Sequence, residues 1–124
     1  MILITGGAYQ GLKEFARSLV TNGNMIDAAT ASMEEMKEAD IITDLHLYIR
    51  KILEEKKDAK EEVGNLLEAC PKIIVTVAEL GCGIVPMDAF ERKYRETVGR
   101  ISCEIAKKAD AVYRVNCGIG LRIK

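Results

Sequence analysis

The stretch Gly6-Gly7-Ala8-Tyr9-Gln10-Gly11-Leu12-Lys13 joins a short apolar run to a helical pattern, and its residue types suit it to holding an anion. Gly6 and Gly11 stand at the two fixed glycine positions of the phosphate-loop spacing G-x-x-x-x-G-K-[ST]. A tight loop of this kind aims successive backbone N–H groups at one point, and the helix that follows adds partial positive charge. The chain then departs from the spacing, with Leu12 where the motif has Lys and Lys13 where it has Ser or Thr. Leu12 supplies no point charge, and position 13 offers no hydroxyl to ligate Mg²⁺. Lys13 falls one residue late, about 100° further round a helix, so only its long stem can bring the ammonium back. Spacing leaves two readings open. Gly6 through Lys13 hold a phosphate, or they form a glycine turn that merely connects two elements.

Asp44 is the second candidate. It ends the apolar run Ile41-Ile42-Thr43, an arrangement suited to holding Mg²⁺ directly or through water. Strands also end in Asp for turn chemistry alone. The only histidine, His46, follows two residues later and is expected at a helix start, facing solvent or the sheet end. The four cysteines, Cys70, Cys82, Cys103 and Cys117, show no C-x-x-C spacing. Zinc is not expected, and small free thiols are. Gly81 and Gly83 serve either a tight strand-to-helix turn or a binding loop. Arg95 and Arg100 face solvent, a neighbouring subunit or a phosphate.

Elements must position these groups. Ile2-Leu3-Ile4 reads as a buried strand, and residues 11–20 as a helix with Leu12, Phe15, Ala16, Leu19 and Val20 on one face. A weak strand is expected over 25–30, then a short helix with Ser32 and Glu35 at capping-box spacing. Residues 40–44 give a second buried strand and 45–57 a helix. The polar run 56–62 is a solvated junction, and Val63, Leu66 and Leu67 resume an apolar face that Cys70-Pro71 ends. Residues 72–77, β-branched almost throughout, form the strongest strand. Residues 87–109 are an amphipathic helix with Phe90, Tyr94, Val98, Ile101 and Ile105 inward. Strands follow over 110–115 and 118–123, joined as a hairpin through Asn116-Cys117-Gly118. This alternation predicts an α/β sandwich around a mostly parallel sheet, with its crevice at the carboxyl ends of the strands.

Composition narrows the function classes. The chain has 124 residues, 18 Lys+Arg against 19 Asp+Glu, and 48% hydrophobic content, which fits one globular domain. Near-neutral charge argues against a nucleic-acid binder. No run approaches the ~20 apolar residues of a membrane span. The first residues lack a basic segment, so no secretory leader is expected and the cytoplasm is the expected location.

The run Ala78-Glu79-Leu80-Gly81-Cys82-Gly83-Ile84-Val85-Pro86 resembles the N-E-V-G-x-G-I-V-P signature of the bifunctional adenosylcobinamide kinase/adenosylcobinamide-phosphate guanylyltransferase family. The likeness continues through residues 89–96, Gly99-Arg100 and residues 109–113. It closes on Gly118-Ile119-Gly120-Leu121-Arg122-Ile123-Lys124, where the family has G-I-P-L-x-x-K. Residues 2–8 look like the family's opening, and Ile42-Thr43-Asp44-Leu45 like its V-D-C-L segment.

The resemblance implies a three-layer P-loop NTPase-like fold over residues 1–124, often a homotrimer, with contacts through Ile84-Val85-Pro86. It implies a kinase that phosphorylates adenosylcobinamide from a nucleoside triphosphate, then transfers GMP from GTP through a guanylylated histidine. Carried onto this chain, Gly6, Gly7, Ala8, Tyr9, Gln10, Gly11, Leu12 and Lys13 would hold GTP or ATP. Lys13, Asp44 and Glu79 would be catalytic, and Asp44 would hold Mg²⁺. The expected partners are the nucleotide, a cobinamide and further copies of the chain, with neither nucleic acid nor membrane. Two departures stand out. Family members are longer between about Asn22 and Asp40, where the histidine that takes up GMP should lie, and this stretch has none. Leu12 replaces the loop lysine, and Ala78 the signature asparagine. Three readings result: a nucleotide-binding relative with impaired or lost catalysis, a kinase without guanylyl transfer, and a non-catalytic interaction subunit.

Overall fold

A computed structural model describes residues 1–80 and 84–124. Its elements run β1 (Ile2–Gly6), α1 (Leu12–Ser18), β2 (Met25–Asp27), α2 (Met33–Lys37), β3 (Ile41–Thr43), α3 (Leu45–Glu54), α4 (Ala59–Ala69), β4 (Ile74–Ala78), α5 (Ala89–Lys108), β5 (Ala111–Asn116) and β6 (Ile119–Arg122). Gly81, Cys82 and Gly83, the centre of the expected glycine loop, lie outside the described residues.

The strands form one sheet in the order β2-β3-β4-β1-β5-β6. All neighbours are parallel except β5 and β6, which form the expected antiparallel hairpin. β1 lies at the centre, with Leu3 level with Val75 on one side and Val112 on the other. The chain leaves β1 for the far edge and later returns to its other flank. That change of direction opens a crevice beyond the carboxyl ends of the strands.

Two cores separate the faces. The larger lies under α3, α4 and α5, where Leu3, Ile42, Val75, Val77 and Val112 meet Leu45, Ile49, Ile52, Val63, Leu66, Val98, Ile101 and Ile105. Each fully buried Leu or Ile there contributes about 1.5–3 kcal/mol. The smaller joins Ile4, Ile41, Ile74 and Val115 to Ala16 of α1, with Leu12 and Phe15 packed alongside. Helix, sheet and helices make three layers.

Local chemistry sets the boundaries. Ser32 and Glu35 form the expected capping box at the start of α2. Asp58 caps α4, and Asp88 caps α5 by accepting from the amides of Phe90 and Glu91, so α5 begins at Ala89 rather than Met87. α1 is shorter than the expected 11–20 and stops at Ser18. Among the described residues no helix is long and apolar enough to cross a membrane.

Candidate functional site

Beyond the carboxyl ends of β1, β3 and β4 lies a cleft of about 340 Å³, lined by Gly7, Ala8, Tyr9, Gln10, Gly11, Leu12, Lys13, Glu14, Asp44, His46 and Ala78. The loop after β1 is neither extended nor plugged. Gly6 passes so close to Val115 O that a Cβ would collide with it, and Gly11 takes a left-handed φ of 89° with Gly118 packed against it. Gln10 fastens the loop to the hairpin turn. Its side-chain Oε1 accepts from Cys117 N at 2.8 Å, and its carbonyl accepts from Gly118 N at 2.7 Å. The first α1 amide answered by a turn of the helix is that of Phe15, donating to Gly11 O at 3.0 Å. The amides of Leu12, Lys13 and Glu14 precede that first bond, on the loop side of the helix.

A single residue step along the helix, about 100° of rotation, separates the fates of Leu12 and Lys13. Leu12 points into the smaller core, with its Cδ1 beside Gly6. Lys13, rotated off that face, sends its ammonium to Asp44, with Nζ 3.0 Å from Oδ2. This hydrogen bond raises the Lys13 pKa above its ordinary value, against a smaller opposing effect of burial. Lys13 is therefore charged at neutral pH.

Asp44 stands at the N-cap of α3, yet its side chain makes no cap hydrogen bond. Its backbone is left-handed, with φ 56°, and its N–H donates to the buried Thr76 hydroxyl at 3.0 Å. Turn chemistry therefore does not consume the carboxylate, which turns into the cleft.

His46 does not face solvent. It is 8% exposed and forms a wall of the cleft. Its Nδ1 accepts from Ala78 N at 3.2 Å, which leaves the proton of the neutral ring on Nε2. Burial, first, and then the Lys13 charge push its pKa below the ordinary value, while Asp44 and Asp27 oppose that shift. The His46 carbonyl accepts from the Tyr94 hydroxyl at 2.9 Å, and burial lifts the Tyr94 pKa to about 12, so this donor keeps its proton. The sequence offered one signal for the placement of His46. It falls two residues beyond a strand end, at the edge where the crevice forms.

Glu79 is placed elsewhere. Its amide donates to Gly6 O at 2.8 Å, while its carboxylate accepts from Arg114 Nε and the terminal nitrogen Nη2 at 2.9 and 3.2 Å. Ala78, not Glu79, is the β4 residue lining the cleft. The structure thus brings the loop, Lys13 and Asp44 together and leaves Glu79 outside that group. Arg95 donates to Ile84 O at 2.8 Å, and Arg100 pairs with Glu96.

Among the described residues, no three His, Cys, Asp or Glu side chains converge as a resident metal site. A magnesium ion arriving on nucleotide phosphates needs only one or two protein carboxylates. Asp44 fits that lesser requirement.

Comparison with known proteins adds a relationship. A family model described as cobinamide kinase / cobinamide phosphate guanyltransferase matches residues 20–123. The bifunctional adenosylcobalamin biosynthesis protein CobU of Salmonella typhimurium is 37% identical over 68 residues, covering 52% of this chain and 38% of the relative. Its Escherichia coli counterpart is 36% identical over 67 residues, covering 51% and 37% respectively. The matched stretch therefore spans under two-fifths of either relative. The family match begins after the glycine loop and so leaves the loop to be judged on its own geometry.

Proposed function

The chain belongs to the cobinamide kinase / cobinamide phosphate guanyltransferase family, and on that premise we propose that it is a single nucleotide-binding domain with impaired or lost catalysis. The supporting observation is the Lys13–Asp44 pair inside a cleft walled by the glycine loop. An entering GTP or ATP would meet the loop amides with its phosphates. Lys13 would leave Asp44 for a phosphate oxygen, and Asp44 would be free to hold the accompanying Mg²⁺. Bound there, the ion would neutralise phosphate charge.

The impairment follows from Leu12. Phosphoryl transfer needs fixed positive charge where negative charge develops, and one such group is commonly worth ~10²–10³ in rate. Here the core takes the side chain at position 12, and the charge comes instead from a flexible stem already paired with a carboxylate. His46 is unsuited to guanylyl transfer in the tautomer described, because Nδ1 is engaged by Ala78 N and Nε2 carries the proton. In this reading its Nε2–H is a donor towards bound phosphate. The exposed Ile84, Val85 and Met87 supply apolar surface for contact between copies in a homo-oligomer, a trimer by family likeness. The cytoplasm remains the proposed location.

A second reading, an active cobinamide kinase without guanylyl transfer, draws support from the reach of Lys13 into the cleft. Calorimetric titration with GTP and ATP in the presence of Mg²⁺, followed by a turnover assay on adenosylcobinamide, separates the two. Saturable binding without phosphate transfer is expected. Transfer that Lys13→Ala abolishes would favour the kinase. Flat titrations with both nucleotides would overturn nucleotide binding and leave the interaction-subunit reading.

A further inference from the structure

Tyr9 is the odd residue of the loop. Its side chain is fully exposed, at 104% of the reference area, although it sits at the mouth of the cleft. The ring contacts found among the described residues are Phe15 with Tyr113 and Arg50 over Phe90 and Tyr94, so none occupies the Tyr9 ring. Its backbone is left-handed, with φ 59°, a conformation uncommon for a bulky residue. The neighbouring residue explains how that conformation is held. Gln10 is fixed to the hairpin turn through both its side chain and its carbonyl, so the chain leaves Tyr9 in a set direction. The loop therefore holds an aromatic face in water at the rim of a site that contains the Lys13–Asp44 pair.

We propose that Tyr9 is the stacking platform for the purine base of the nucleoside triphosphate held in this cleft. The inference rests on the nucleotide reading above and adds which chain group recognises the base. A nucleotide whose phosphates lie on the loop amides carries a flat apolar base on a short tether, and the loop presents a flat ring to match it. Stacking accepts either purine, since both have a π face, so Tyr9 contributes affinity without selecting GTP over ATP.

The experiment titrates the full chain, Tyr9→Ala and Tyr9→Phe with Mg·GTP, Mg·ATP and inorganic tripolyphosphate. Ala keeps a Cβ and hence the same backbone demand, and an exposed ring carries no core packing, so the variants fold alike. Loss of base–aromatic stacking predicts about 5- to 100-fold weaker binding of both nucleotides to Tyr9→Ala. Tripolyphosphate binding should be unchanged, and Tyr9→Phe should behave as the parent. Equal loss for nucleotides and tripolyphosphate, or no loss for either, would overturn the stacking role while leaving the cleft a phosphate site. A parent chain that binds neither nucleotide nor tripolyphosphate would overturn the nucleotide reading and this inference with it.

Discussion

Two ion pairs sit near the carboxyl ends of the strands. Lys13 of α1 meets Asp44 at the end of β3, and Arg114 of β5 meets Glu79 just beyond β4. Both join a cation to a carboxylate at about 3 Å, with Lys13 Nζ 3.0 Å from Asp44 and Arg114 Nε 2.9 Å from Glu79. Their surroundings separate them. Lys13–Asp44 is a single contact inside a cleft, beside a buried neutral histidine and a curled loop. Arg114 offers Glu79 two nitrogens and so clasps β4 to β5 across the end of β1. In the proposed reading a phosphate exchanges with the carboxylate of the first pair, while the second pair stays closed. In that reading it is the cleft beside Lys13–Asp44, rather than sign or distance, that marks it as the binding pair.

The largest expected effect breaks that contrast if it fails. Lys13→Ala removes a charge-assisted phosphate contact worth about 1.5–3 kcal/mol, so Mg·GTP affinity in calorimetric titration should drop by roughly 10- to 100-fold. Asp44→Asn sharpens it. Without its countercharge Lys13 is free beforehand, and tripolyphosphate binding without metal should strengthen by up to about fivefold, while the gain from added Mg²⁺ shrinks.

The third prediction concerns pH. His46 has a folded-state pKa below its ordinary value, so the unfolded chain takes up the proton first as pH falls. Its contribution to stability is complete above about pH 6.5 and declines below it until the folded-state pKa is passed. In urea melts across that range, His46→Asn should flatten this acid arm, since its amide oxygen can still accept from Ala78 N. An unchanged acid arm would contradict the buried neutral ring. The smallest effect belongs to the clasp. Glu79→Gln should cost no more than about 1 kcal/mol in a urea melt and leave Mg·GTP affinity within about twofold.

The strands and their alternation with helices were legible because their chemistry is local. Residues 73–77 are all β-branched, and Ser32 and Glu35 carry their own start signal. Asp44 was legible as a strand end. The face on which each candidate lies was not. In β4, Val75 and Val77 enter the larger core and Ile74 the smaller one, so both parities are apolar and no alternation marks which way residue 79 turns. A strand buried on both sides hides its facing until its neighbours are known. Leu12 and Lys13 posed the opposite problem. Helical rotation separates them, but only the position of Asp44, 31 residues further along the sequence, gives the displaced lysine a destination. The hold of Gln10 on the hairpin turn joins residues 107 apart, a contact without a local signal.

The central claim is that the displaced lysine serves a phosphate cleft while the clasp across β1 does not. The most direct test is calorimetric titration of inorganic tripolyphosphate into three chains: the parent, Lys13→Ala and Glu79→Gln. The account predicts saturable binding to the parent, a loss of roughly 10-fold or more in Lys13→Ala, and near-parental affinity in Glu79→Gln. Equal affinity in the parent and Lys13→Ala, or a larger loss in Glu79→Gln, would contradict it.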